Sequence, residues 1–175
     1  MAKRLKKADW IGAGLDALAD DGFGALAAEP MCRRIGTSKG SFYWHFNDLP
    51  DFHQALVAAW QETALEKLAQ TVSLEKAVDH RLRAFGRAML ADRSETAIRV
   101  WARANPTVET ALSEVDAQRL SYLKLLLKEA GLANPDFAHA LLAALIGLPQ
   151  LHGPDGMAIR TSYDALIDTV MALSD

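Results

Sequence analysis

The chain has 175 residues, half of them apolar, a length that buries one sizeable core or joins a small domain to a larger one. Its apolar share points to a packed globular protein, and its single cysteine, Cys32, excludes a disulfide framework or a multi-cysteine zinc site within one chain. The formal net charge of −3 hides an asymmetry: residues 1–46 carry seven Lys/Arg against five Asp/Glu, and residues 47–175 carry twelve against seventeen. A small basic head on an acidic body suits a two-part protein with one part facing phosphate.

The pattern is helical throughout. Alternating β-branched runs are absent, and Ala and Leu, both strong helix formers, dominate the periodic segments. A first helix is predicted over about Lys6–Asp21, with Ile11, Leu15 and Leu18 on its apolar stripe. Gly22 ends it and Phe23 supplies the hydrophobic contact usual after such caps. Lys3, Arg4, Lys6 and Lys7 resemble the start of a secretion signal, but Asp9, Asp16, Asp20 and Asp21 interrupt the stretch where its apolar region would lie, so a soluble, cytoplasmic protein is expected. A short second helix starts near Ala28, tolerates Pro30 in its first turn, buries Met31 and Ile35, and breaks at Gly36. A third runs from about Ser38 to Phe46, with Ser38 or Thr37 accepting its orphan amides. Asn47 and Asp48 close it, and Pro50 opens a long fourth helix reaching about Gln70.

Further helices are predicted near 74–91, 94–104, 107–130, 134–148 and 158–173, divided by Asp92-Arg93-Ser94, Asn105-Pro106, Gly131, Asn134-Pro135 and His152-Gly153-Pro154-Asp155-Gly156. The longest strongly apolar stretch, Phe137–Leu148, is about 12 residues, short of the roughly 20 that span a bilayer. The domain division is expected near residue 46, with the head (1–46) extending into the fourth helix at about 50–65 and a larger helical bundle over 47–175.

The informative segment is Met31 to Phe46: a short helix, a three-residue turn opening with Gly36, and a second short helix. That is the length and punctuation of a helix-turn-helix, whose second helix enters the major groove of DNA. Phe42 and Phe46, four apart, share one face of it and can pack against Ile35 and Leu18. Lys39, Gly40, Ser41, Tyr43, Trp44 and His45 offer a cation, a hydroxyl, bare backbone and donor-bearing aromatics, groups suited to phosphate oxygens and base edges. Gly40 costs about 1 kcal/mol relative to Ala inside a helix, which close approach to DNA would account for. The alternative is a core patch in an all-helical enzyme or interaction module, although Tyr43, Trp44 and His45 cannot all face one core.

The stretch Gly36-Thr-Ser-Lys-Gly-Ser-Phe-Tyr-Trp-His-Phe46 resembles the turn and recognition helix of the TetR family of transcription regulators. The closer likeness covers about residues 6–65, and a looser one continues through Ala97-Ile-Arg-Val-Trp-Ala-Arg and Val115-Asp-Ala-Gln-Arg-Leu-Ser-Tyr-Leu. The resemblance implies an all-helical homodimer in which a ligand bound by the larger domain changes the spacing of two DNA-reading heads. Lys39, Gly40 and Ser41 match positions facing bases or adjacent phosphates; Tyr43, Trp44 and His45 match positions on the backbone and thymine methyls; Thr37 and Ser38 complete the DNA-contacting set. Two departures stand out. Ala27-Ala28 replaces the hydroxyl-bearing start of the second helix seen in many relatives, and Leu49 replaces a basic residue just past the recognition helix.

In the larger domain, Leu141, Leu142, Leu145, Ile146 and Leu148, with Leu166, Ile167, Val170 and Met171, make two helices apolar beyond one stripe, which need burial on two sides. A central core is the alternative; the resemblance implies, and the expectation here is, a four-helix dimer interface using Leu141, Leu142, Leu145, Ile146, Leu166, Ile167 and Val170. Trp60, Phe85, Met89 and Trp101 are candidates to line a pocket for a small apolar effector, though each also suits ordinary core. His53, His80, His139 and His152 show no metal-ligand spacing, and no cofactor is implied. Cys32 beside Arg33 and Arg34 reads as an inert thiol. There is no phosphate-binding loop, nucleophile elbow or catalytic carboxylate pair, so an enzyme is not expected.

Overall fold

The computed structural model describes residues 5–73, 76–152 and 156–173. Every regular element among them is helical: α1 (Lys7–Asp21), a 3₁₀ turn (Phe23–Leu26), α2 (Ala28–Ile35), α3 (Lys39–His45), α4 (Leu49–Val72), α5 (Val78–Leu90), α6 (Glu95–Ala102), α7 (Pro106–Glu129), α8 (Asp136–His152) and α9 (Gly156–Ala172). The all-α architecture read from the sequence therefore holds. Lys3, Arg4, the break at Gly153-Pro154-Asp155, the start of the helix expected from 74 and the His152 side chain lie outside the described residues.

Local chemistry sets most boundaries. Asp9 takes the Lys6 amide at 2.6 Å and so closes the first turn of α1. Gly22 (φ 77°) and Gly36 (φ 75°, ψ 42°) adopt left-handed φ values that only glycine reaches at no steric cost. One boundary differs. The proline at 149 suggests a stop at Leu148, yet α8 continues to His152. Pro149 forfeits one helical hydrogen bond, and one turn on, the Gln150 side-chain amide donates to the Ile146 carbonyl at 3.1 Å.

The chain divides into two compact units, Met1–Thr63 with Arg93–Leu112, and Ala64–Asp92 with Ser113–Asp175. The first is larger than a head ending at residue 46. The first half of α4 belongs to it because Phe52 and Leu56 fill the space against α1: a Cβ on Gly14 would sit 2.6 Å from Leu56 Cδ2 and 3.0 Å from Phe52 Cζ. Residues 93–112 join because α6 packs on α1 and Arg93 reaches Asp20 at 2.6 Å. The core of this unit is aromatic. Phe42 meets Trp10 edge-on (5.4 Å between centroids, 80°), and both Phe42 and Phe46 touch Phe52 (5.2 and 4.9 Å). The α1 stripe is turned from the expected one: Trp10, Gly14, Ala17 and Leu18 are buried, while Ile11 and Leu15 are half-buried, as is Ile35 on α2.

In the second unit α5, α7, α8 and α9 share one core around Leu82, Phe85, Leu123, Leu126, Leu141 and Ile167. Most of the residues expected at a dimer interface take part in this core. Leu141, Leu142, Leu145, Ile167 and Val170 are each no more than 5% exposed within the single chain, and Ile146 and Leu166 are half-buried. Gly86 lets α9 approach α5: a Cβ there would meet the Tyr163 ring at 2.1 Å. Arg83, paired with Asp164 at 3.1 Å, ties the same two helices.

Candidate nucleic-acid interface

α2, the turn at Gly36 and α3 form the helix-turn-helix. The Gly36 and Thr37 amides both donate to the Cys32 carbonyl at 2.9 Å, so the turn closes α2 and redirects the chain within three residues. Ser38 caps α3, its hydroxyl accepting the Ser41 amide at 3.4 Å. Phe42 and Phe46 anchor the inner face of α3, which leaves the opposite face outward. Trp44 is 73% and Tyr43 55% exposed, and Ser38, Lys39 and Gly40 are exposed beside them; Thr37, Ser41 and His45 are half-buried. His45 Nε2 lies 3.0 Å from the Leu5 carbonyl, so this ring is engaged by the head's own backbone. A Cβ on Gly40 would meet only Ser38 Oγ, at an ordinary 3.7 Å, so nothing inside the chain demands glycine there.

No family model matches the sequence, and no curated protein matches it. Solved structures do. A chain from Rhodococcus sp. assigned to the TetR-family transcriptional regulators superposes with a TM-score of 0.77 at 18% identity, over 94% of this chain and 98% of that one. A TetR-family regulator from Streptomyces coelicolor gives 0.77 at 14% identity, over 95% and 94% of the two chains. A TetR regulator from Legionella pneumophila gives 0.74 at 14% identity, over 100% and 98%. The chain has the TetR fold. At such identities the likeness is one of architecture, so the chemistry of this TetR-fold head has to come from its own side chains.

Each cation of the helix-turn-helix faces a carboxylate. Lys39 Nζ lies 3.1 Å and the Arg33 guanidinium 3.6 Å from Glu29 at the start of α2. The Lys39 hydrogen bond holds the Glu29 carboxyl below its ordinary range. These pairs are solvent-exposed and cost little to exchange for phosphate. Arg34 differs: it bridges Asp20 and Asp21, and Asp20 also takes Arg93. The Arg34 hydrogen bond, with Arg93 adding to it, depresses the Asp20 carboxyl, so this cluster fastens α2 and the start of α6 to the end of α1. Asp48 caps α4 by accepting the Asp51 amide at 2.8 Å, and Asp51 in turn accepts the Asn47 amide at 2.9 Å. Leu49 is half-buried at that junction, and Ala27 gives α2 no side-chain cap. Cys32 is buried, and desolvation pushes its thiol up against the pull of Lys39, which leaves it unreactive.

The four candidate pocket residues are divided between the two units. Trp60 and Trp101 belong to the first unit, Phe85 and Met89 to the second. Phe85 and Met89 line a recess of about 20 Å³, room for a single water. Trp101 lines a cleft of about 320 Å³ beside α4. Among the described residues no group of His, Cys, Asp and Glu could hold a metal, and no helix is long and apolar enough to cross a membrane. Reading the sequence missed the Asp20–Arg34–Arg93 cluster and the role of His53, whose Nε2 meets the Leu26 carbonyl at 3.1 Å. Both join residues far apart in the chain, and no local spacing signals them.

Proposed function

We propose that the chain is a DNA-binding transcription regulator, a homodimeric repressor released from a palindromic operator by a small molecule. The observation that carries the reading is α3: its Phe42 and Phe46 face is locked into the core, and Lys39, Gly40, Tyr43 and Trp44 are left facing solvent. The largely exposed indole and phenol, with the glycine and lysine beside them, all suit a DNA groove and its phosphates. This disfavours the alternative of an enzyme or interaction module whose aromatic cluster is merely core. The reading assigns no catalytic residue and no cofactor.

Dimerisation in this reading uses the outward faces of α8 and α9, where Ala140, Ala143, Ala165 and Ala172 are exposed and small enough for close helix packing, with Leu151 and Met157 exposed at one end. A two-fold axis there presents paired heads to half-sites about one DNA turn apart. Selection from random duplexes with purified protein tests the reading: a preferred palindrome, protected in a footprint, is expected. Recovery of no preferred sequence would end it.

A further inference from the structure

We infer that the first unit binds a small, uncharged molecule bearing a hydrogen-bond donor, in the cleft lined by the first half of α4 and the α6–α7 junction. The inference goes beyond the DNA-binding reading and does not depend on it. At about 320 Å³ the cleft lies within the size range of small-molecule sites. His53, Gln54 and Val57 come from α4, and Trp101, Asn105 and Thr107 from the opposite wall.

The wall is pre-organised. Trp101 is only 2% exposed, stacks on Phe23 (4.9 Å between centroids, 28°) and takes the His53 ring edge-on (5.2 Å, 83°). Held between Phe23 and His53, the Trp101 ring is a fixed floor that keeps His53 in place at no ordering cost on binding. No carboxylate, lysine or arginine lines the cleft. His53 is half-buried, and desolvation favours its neutral form against the opposing pull of its Leu26 hydrogen bond. A charged occupant would find no counter-charge, so an uncharged one is selected.

The imidazole itself sets the polarity. A carbonyl only accepts, so the Nε2 facing Leu26 carries the proton, and Nδ1 of the neutral ring is a lone-pair acceptor. No hydrogen bond among the described residues uses it, so an occupant that displaces water from it has to donate in turn. Asn105 Oδ1 is committed to the Thr107 and Val108 amides (3.0 and 3.3 Å), so Asn105 can offer only its amide N–H groups. A small phenol, whose hydroxyl donates to Nδ1 and accepts from the Asn105 amide, meets both demands.

The test titrates the full-length protein with 4-methylphenol, 4-methylanisole and 4-methylbenzoate, following the tryptophan indole N–H and His53 ring resonances by NMR. Saturable shifts at Trp101 and His53 are expected with 4-methylphenol, with Trp10 and Trp60 unmoved. Affinity should fall about tenfold for the anisole, which cannot donate, and as far for the charged benzoate. Gln54→Trp, at an exposed position on the rim, should fill the cleft and abolish the shifts; Thr107→Phe does so from the other rim should the first variant fold poorly. Equal affinity for the three probes, non-saturating shifts, shifts centred on Trp10 or Trp60, or undiminished binding in a folded rim variant each overturns the inference.

Discussion

Lys39 is held by a surface carboxylate and Ser41 contributes its backbone amide to the α3 cap, so neither side chain carries the fold. Lys39→Ala with Ser41→Ala is therefore expected to keep the helical signal and melting temperature while losing operator preference. Each lost base contact costs about 1–3 kcal/mol, and duplex-binding titrations beside a thermal melt check both halves. Leu49→Lys should act in the opposite sense, tightening operator and random duplex alike and steepening the salt dependence of log K by about one. Since Leu49 is half-buried, a slight drop in melting temperature should accompany the gain. His53 adds a pH signature. Its folded pKa lies below the ordinary 6.5, so the unfolded chain takes up the proton first. The stabilisation is complete above the ordinary value and is lost as pH falls from there through the folded value. Melting temperature should thus decline as pH falls through and below the ordinary histidine value of 6.5, and His53→Gln, which keeps a donor for the Leu26 carbonyl, should show less of that decline.

At the scale of elements, α1 carries two glycines with opposite meanings. Gly12 is exposed and an added Cβ meets nothing within 4 Å, whereas Gly14 is the point where α4 comes closest. Gly12→Ala should stabilise the protein by about 0.5–1 kcal/mol through helix propensity. Gly14→Ala should destabilise it by about 1–3 kcal/mol, because the methyl must displace Leu56 and Phe52 from a packed interface. Urea unfolding of the two variants decides the matter; equal effects would mean that α1 and α4 tolerate separation at this contact.

For the whole molecule, the second unit uses one side of α8 and α9 for its own core and leaves the other to solvent. Under the proposed dimer, Ala143→Arg should yield a monomer at micromolar concentration with a near-wild-type melting temperature, because the residue is exposed in the protomer. Leu145→Arg, 1% exposed, should instead prevent stable folding. Sedimentation and thermal melts separate these outcomes, and an Ala143→Arg protein that stays dimeric places the interface elsewhere.

The amino-acid sequence by itself determined the helical architecture, the break points at Gly22 and Gly36, and the inward face of α3. Each is set by interactions within a turn or two: glycine's access to positive φ, a capping serine, and the four-residue spacing of Phe42 and Phe46. Periodicity reports that a face is apolar and is silent on what covers it. The apolar excess of α8 and α9 was plain in the sequence, yet only tertiary packing decided that Leu141, Leu145 and Ile167 serve the protomer's core. For the same reason Trp60 and Trp101 parted from Phe85 and Met89, since assigning a side chain to a unit depends on contacts far along the chain. The Arg34–Asp20–Arg93 cluster and the His53 contact with Leu26 span 14, 73 and 27 positions. Charge pairs and hydrogen bonds at such separations exist only once the backbone has brought them together, and so they belonged to the tertiary structure alone.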